Sequence, residues 1–356
     1  MKILHIASVK NNPYSGACVA IPAHIKAQQD SNLVALLNIC EEEISGVKNQ
    51  FIYRGRNWQD SVPNDFKRPD IAVFHEVYHI EFVRIASQLW NSGIPYIIIP
   101  HGSLVFSALK KKWLKKRIAN FLFFESFINN AKAIQCLSEN EVKNTGFNTY
   151  KFIGTNGVSL PQTIKSDFSK GSLNITYIGR LETYVKGIDL LVKAVNELKK
   201  YLIDKNVKIS LYGPDILGFH KEVRNLILKH RVDDIICLNG PVNNEEKVNV
   251  LRSTDIFIQT SRHEGLPMGL LEAMSYGIPC IVTRGTSLGE IIEQYDAGWV
   301  SETDLNSLVY TISRALGELN QIEQKSVKSR RLVEEKFAWN VVIDETVNQY
   351  KIFVKS

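Results

Sequence analysis

Residues 256–283 read IFIQTSRHEGLPMGLLEAMSYGIPCIVT, and this stretch decides the architecture. Ile256–Gln259 is a short apolar run that stops at a polar loop. Pro267 stands where the first turn of a helix begins, and the helix is expected over 268–276. Gly277 and then Pro279 close it, and Pro279–Thr283 is apolar again. Neither apolar run alternates with polar residues, as expected of strands buried on both faces of a parallel sheet under helices. The loop carries Glu264 and the helix carries Glu272. Gly265 and Gly269 are expected to let backbone approach a ligand. The free N–H groups where Leu266, Pro267 and Met268 lead into the helix, at its positive dipole end, suit an anion. A competing reading is a capped helix with two solvated glutamates.

The same unit recurs on both sides. Ahead of it lie strand Ile175–Ile178, helix Ile188–Lys200, strand Val207–Tyr212 ending at Gly213-Pro214, a helix around 219–230, strand Ile235–Leu238 and a helix over 244–252. The first half repeats the pattern with strands Ile3–Ala7, Leu33–Leu37, Ile71–Phe74, Tyr96–Ile99 and Ala133–Gln135. Helices are expected over Cys18–Gln29 and 107–130. Between the halves, Asn156-Gly157-Val158, then Pro161 and a polar stretch to Ser172, read as a linker. The expectation is an α/β protein of two Rossmann-like doubly wound parallel-sheet domains facing a central cleft: 1–158, 159–336, and a C-terminal helix in 337–356 packing back on the first domain. Such sheets bind ligands at the carboxyl ends of their strands.

Composition excludes several classes. The 356 residues are 44% hydrophobic and 22% charged, an ordinary globular balance that rules out disorder and disulfide mini-scaffolds. The five cysteines show no C-x-x-C spacing, which speaks against a disulfide framework or structural zinc and for a reducing cytoplasm. Met1–Val9 is too short an apolar run for a signal peptide, and no apolar run approaches a membrane span. The net charge of +6 sits in residues 1–158, which carry 18 basic and 12 acidic side chains. An acidic partner should therefore meet the first half.

Further motifs sharpen the reading. Glu264 and Glu272 are separated by seven residues. Gly179-Arg180-Leu181 is followed by Lys186-Gly187 and Ile188-Asp189-Leu190-Leu191, Pro100-His101-Gly102 follows a strand, and Asn156-Gly157-Val158 sits between the halves. Together these resemble the E-x7-E signature, the G-R-L…K-G motif, the H-G element and the interdomain turn of retaining glycosyltransferases of family four, with the GT-B fold. The resemblance implies a nucleotide-diphosphate sugar donor, UDP first and GDP second. It implies a saccharide acceptor, lipid-linked, in surface polysaccharide (O-antigen or capsule) assembly. It also implies contact of His101 with the donor sugar, and a base pocket lined by Gly213-Pro214 and Pro241-Val242. Gly16 would approach the donor phosphates, although this chain has Gly16-Ala17 where the family often has two glycines.

The chemistry fits. Departure of a diphosphate builds negative charge, which the planar fork of Arg180 and the compact ammonium of Lys186 can take up. No Asp-x-Asp or His/Cys cluster is present, so neither a cofactor nor a metal is expected. The family offers no nucleophilic carboxylate for a double displacement, so a front-face substitution is expected, the acceptor entering on the side from which the diphosphate leaves.

Lys110, Lys111, Lys112, Lys115, Lys116 and Arg117 crowd around Trp113-Leu114, with Phe121, Leu122, Phe123, Phe124 and Phe127 close behind. This segment reads as a patch resting on the anionic inner face of the cytoplasmic membrane. A solvated helix face with core aromatics is the competing reading. Nucleic acid is disfavoured for want of a binding module. Three rival functions are a GT-B sugar-nucleotide epimerase, a non-catalytic two-domain sugar-binding protein and an NAD-dependent oxidoreductase. The last lacks its G-x-G-x-x-G fingerprint.

Overall fold

The computed structural model describes residues 1–12, 15–105, 123–168, 171–242 and 244–355. The chain forms two units, Met1–Gly157 with Trp339–Ser356, and Val158–Ala338.

The first unit holds strands β1 (Lys2–Ala7), β2 (Leu33–Asn38), β3 (Gln50–Ile52), β4 (Ile71–His75), β5 (Tyr96–Ile99), β6 (Ala133–Cys136) and β7 (Lys151–Ile153) in the spatial order β3-β2-β1-β4-β5-β6-β7. Every pairing is parallel. The apolar strands β4 and β5 are buried along their whole length, as runs covered on both faces must be. Helix α1 (Gly16–Gln29) follows β1, α2 (Ile80–Asn91) follows β4, and the short α3 (Glu125–Asn129) and α4 (Glu139–Asn144) flank β6.

The second unit holds β8 (Leu173–Ile178), β9 (Val207–Tyr212), β10 (Ile236–Asn239), β11 (Ile256–Gln259), β12 (Cys280–Thr283) and β13 (Gly298–Ser301), ordered β10-β9-β8-β11-β12-β13 and again all parallel. Its helices are α5 (Ile188–Glu197), α6 (Lys199–Asp204), α7 (Phe219–Lys229), α8 (Asn244–Ser253), α9 (Met268–Ser275), α10 (Gly289–Tyr295), α11 (Leu305–Gly317) and α12 (Ile322–Lys336). The helix expected over Ile188–Lys200 is broken at Leu198, whose backbone (φ −92°, ψ 6°) leaves the helical region. Strand order reverses at β1/β4 in one unit and at β8/β11 in the other. These reversals are where the loops beyond the strand ends diverge and leave room for a ligand.

The last helix, α13 (Trp339–Lys355), belongs to the first unit. Phe353 packs its ring 5.7 Å from Tyr150 and 5.9 Å from Phe152. The two crossings between the units run side by side: Val158 N–H donates to Phe337 O at 2.8 Å. Gly157 is where this crossing leaves no space, because a Cβ there would stand 2.6 Å from the Trp339 ring and 2.9 Å from its Cα. Of the segment expected to be helical over 107–130, residues 106–122 lie outside the described residues.

Gly157→Ala should therefore loosen α13 from the first unit, at a cost of about 1–3 kcal/mol by overpacking. Urea denaturation checks this, and an unchanged midpoint would show that the crossing is not tight.

Candidate active site

In the second unit, the loops following β8 and β11 flank the strand-order reversal, and the charged motif residues stand on them. The first loop runs from Gly179 to Gly187. Tyr177, buried in β8, donates its hydroxyl to Arg180 O at 2.7 Å and so fixes the start of the loop. The Arg180 side chain is exposed. Six residues on, Lys186 is buried, and its Nζ donates to Glu264 Oε1 at 2.6 Å while also contacting Oε2. This ion pair joins the two loops. Two charges this far from water are tolerated because each compensates the other.

Neighbouring residues hold the pair in place. Thr260 Oγ1 donates to both Lys186 O (3.2 Å) and Gly187 O (3.0 Å). Gly187 caps α5 with φ 65°, and a Cβ there would lie 1.9 Å from Thr260 O, so both conformation and space demand glycine. Arg262 forks onto Asp189 (2.6 and 2.9 Å), donates to Tyr184 O (2.7 Å), and stacks over the Tyr184 ring at 4.2 Å. Its own N–H donates to Val185 O at 2.8 Å. Such a planar bidentate clamp is specific to arginine. Ser287 donates its hydroxyl to Glu264 O. Thr183 Oγ1, in the same loop, is buried without a hydrogen-bond partner among the described residues.

Helix α9 begins at this end of the sheet. Pro267 is its buried N-cap, with Leu266 and Met268 half-buried on either side. Gly277, at φ 76°, ends the helix. Glu272, half-buried one turn into α9, pairs with Lys247 of α8. One glycine expectation needs correction. Gly269 serves packing rather than ligand approach: a Cβ there would meet Ile178 O at 2.7 Å, so the glycine lets α9 sit against the end of β8. Gly213 likewise answers a neighbouring backbone, since its Cβ would lie 2.1 Å from Gly179 O. At Gly265 and Gly16 nothing lies within 4 Å of an added Cβ, leaving open space at both. Val242 is half-buried in the segment after β10.

In the first unit, His101 follows β5 in a turn where it and Gly102 both take left-handed backbone (φ 48° and 79°). Glu141, buried on α4, fixes this turn by accepting N–H bonds from Gly102 and Leu137, each at 2.6 Å. Burial pushes its carboxyl above the usual range, against the pull of those two donors. Behind the half-buried His101 lies a row of buried polar side chains. His101 Nε2 is 3.1 Å from His75 Nδ1, His75 Nε2 is 2.8 Å from His5 Nδ1, and His5 Nε2 is 2.8 Å from Gln28 Oε1. Gln28 Nε2 lies 2.9 Å from His24 Nε2. Burial pulls His5 and His101 down to about 4, with Glu76 opposing at His101. His24 and His75 are driven well below the ordinary histidine value by burial first and then by the neighbouring imidazoles. The sequence reading singled out His101 alone. A histidine inside each of the buried strands β1 and β4, and His24 with Gln28 one turn apart on α1, were the available signals.

The basic patch Lys110, Lys111, Lys112, Trp113, Lys115, Lys116 and Arg117, with Phe121 and Leu122, lies outside the described residues. Phe124 and Phe127 beyond it are buried, while Phe123 is exposed. No helix among the described residues is long and apolar enough to cross a membrane.

Two doubly wound parallel-sheet units, with motif residues gathered at a strand-order reversal, define the GT-B class of fold. Residues 162–328 match the family described as "Glycosyl transferases group 1". An uncharacterised glycosyltransferase of Methanocaldococcus jannaschii is 31% identical over 179 residues, 50% of this chain and 44% of that one. The putative colanic acid biosynthesis glycosyltransferase WcaL of Escherichia coli is 28% identical over 179 residues, 48% of this chain and 43% of that one. The chain thus spans less than half the length of these curated relatives. Among solved structures, HepE of Anabaena in complex with UDP superposes with a TM-score of 0.74 at 16% identity, over 99% of this chain and 100% of that one. At that identity the likeness is one of fold.

The buried histidines make a pH prediction. In the folded chain they stay neutral, whereas in the unfolded chain they titrate near 6.5. Below about pH 6.5 the unfolded state binds more protons, so stability is fully present above that value and falls as pH drops toward 4. Denaturant unfolding from pH 7.5 to 5 should show this loss. His75→Gln should flatten its slope, and parallel slopes would refute the assignment.

Proposed function

We propose that this protein is a retaining glycosyltransferase that moves a sugar from a nucleotide-diphosphate sugar to a saccharide acceptor. One observation carries the reading: the Lys186–Glu264 pair bridges two strand-end loops beside the reversal, at the start of a helix that also bears Glu272. A cation beside a helix's amino end suits a departing diphosphate, and carboxylates suit sugar hydroxyls. In this reading the pair is a resting state. The diphosphate draws on the Lys186 charge and on Arg180, which frees Glu264 to accept a hydroxyl of the sugar. Glu272 holds the ribose diol, and Gly265, Leu266 and Met268 supply backbone N–H donors, with Pro267, which has none, shaping the turn among them. Gly16, Gly213 and Val242 belong to the donor-binding set, and His101 contacts the donor sugar.

Side-chain cations and the helix dipole take the place of a divalent metal at the leaving group. The acceptor hydroxyl attacks from the face that the diphosphate leaves, so the new C–O bond forms as the old one breaks. The hydroxyl proton passes to a leaving-group oxygen, and the anomeric configuration is kept. UDP is the preferred nucleotide and GDP the second. HepE, of the same fold, was crystallised with UDP. Likeness to a putative colanic acid glycosyltransferase supports a role in surface polysaccharide assembly.

A thermal-shift panel of UDP-, GDP- and ADP-sugars should raise the Tm with UDP-sugars most. With the donor so found, Arg180→Ala, which disturbs no buried group, and Lys186→Ala should each slow transfer, the latter about 100- to 1,000-fold. EDTA should leave the rate unchanged, and NMR of the product should show the donor's anomeric configuration. An inverted product would refute the front-face mechanism. A donor that is epimerised without acceptor, or bound without turnover, would favour the epimerase or binding-protein reading.

For the acceptor, the basic segment from Lys110 to Arg117 is proposed to rest on an anionic membrane and admit a lipid-diphosphate-linked acceptor, each cation contributing about 1 kcal/mol. Liposome flotation should show binding to anionic vesicles that is lost when Lys110, Lys111, Lys112, Lys115 and Lys116 are neutralised. Unchanged binding would refute the membrane role.

A further inference from the structure

The buried row behind His101 has a direction, and it can be worked out from an atom that can only accept. Gln28 presents its Oε1 to His5 Nε2 at 2.8 Å and its amide nitrogen to His24 Nε2 at 2.9 Å. An amide oxygen has no proton to give, so the proton between His5 and Gln28 belongs to His5.

The rest follows by counting protons. A neutral imidazole has one N–H and one lone pair. His5 donates from Nε2 to Gln28 Oε1, so His5 Nδ1 is the acceptor facing His75. His75 donates from Nε2, so its Nδ1 is the acceptor facing His101. His101 must donate from Nε2, and the lone pair is left on its Nδ1. All the groups behind His101 are fully buried, so no water can reverse a link at small cost. The neutrality this requires agrees with the lowered values of all four histidines.

We infer that the relay from Gln28 Oε1 through His5 and His75 holds His101 as the Nε2–H tautomer, so that the atom His101 offers a ligand is an acceptor. It is thereby matched to a hydroxyl, such as that of a sugar, and mismatched to a phosphate oxygen, which an N–H would attract. His75, His5 and Gln28 are positioning residues in this scheme. Its functional half rests on the reading of His101 as a donor-sugar contact; the tautomer does not.

Long-range 1H–15N correlation of the full chain with 15N-labelled histidine at pH 7 tests both halves, with assignment by single His→Gln variants. The relay predicts protonated Nε2 and unprotonated Nδ1 at His5, His75 and His101, and the reverse at His24, whose Nε2 accepts from Gln28. A protonated Nδ1 on His101, alone or together with Nε2, overturns the inference. Gln28→Met removes the oxygen that fixes His5, so His101 should then show a mixture of tautomers. A His101 that stays wholly Nε2–H in this variant overturns the relay as the cause. Adding the nucleotide sugar that raises the Tm should shift the His101 Nδ1 resonance. A fixed tautomer with no such shift upholds the relay and rejects His101 as a donor contact.

Discussion

The second unit depends on one constraint: the Lys186 ammonium has to be buried, and Glu264 is what makes that tolerable. A lone buried ammonium would cost several kcal/mol, and much of that is recovered only when a carboxylate meets it at hydrogen-bond distance. The two residues come from different strand-end loops, so their pairing brings both loops to one place. The surrounding devices follow from this. Gly187 supplies a left-handed turn that no side chain could share with Thr260, and Thr260 ties down the carbonyls of both Lys186 and Gly187. Arg262 grips Asp189, at the head of α5, from the far loop. The loop between Gly179 and Gly187 is thus fixed near its start by Tyr177 and at its end by three separate contacts. Fixed charge is what electrostatic catalysis requires, because a group that must first be oriented spends part of its effect on that reorganisation.

The legibility of the fold from sequence tracked burial. Strands buried at every position, such as Tyr96–Ile99 and Ile256–Gln259, were read with their observed limits, as was Val207–Tyr212, whose buried residues alternate with Lys208 and Ser210. The outer strands β3, β7 and β13 were not read. They have three or four residues and pair on one side only, so fewer neighbours constrain their composition. Helices α11 and α12 were also passed over, because they lie beyond the last chemical motif and carry no signature beyond their periodicity. The charged site residues stood out through their spacing. What they touch did not, since the partnership of Lys186 with Glu264 spans 78 positions.

The glycines show a similar limit. A glycine beside a ligand motif and one required by a neighbouring carbonyl look alike in sequence. Gly269 and Gly265 were read together as ligand-facing, yet the first is held by Ile178 O and the second faces open space. Only the coordinates of the opposing strand separate them. Gly102, by contrast, has a local reason. After His101, itself in left-handed backbone, the chain needs a second such residue, and glycine adopts it without strain.

The two units solve the problem of burying polarity in different ways. The second uses opposite charges, which hold each other until a ligand with its own charge competes for them. The first uses neutral groups in series, each donating to the next, with no net charge to be displaced. A charge pair responds to the charge of what arrives. A hydrogen-bond chain anchored at a carbonyl has a fixed sense that cannot be reversed at one link without breaking another. These are two kinds of recognition, one for charge and one for hydrogen-bond polarity. An ammonium held by a carboxylate suits a group on which charge builds. A directional chain suits hydroxyls, whose charge does not change but whose hydrogen-bond polarity must be matched.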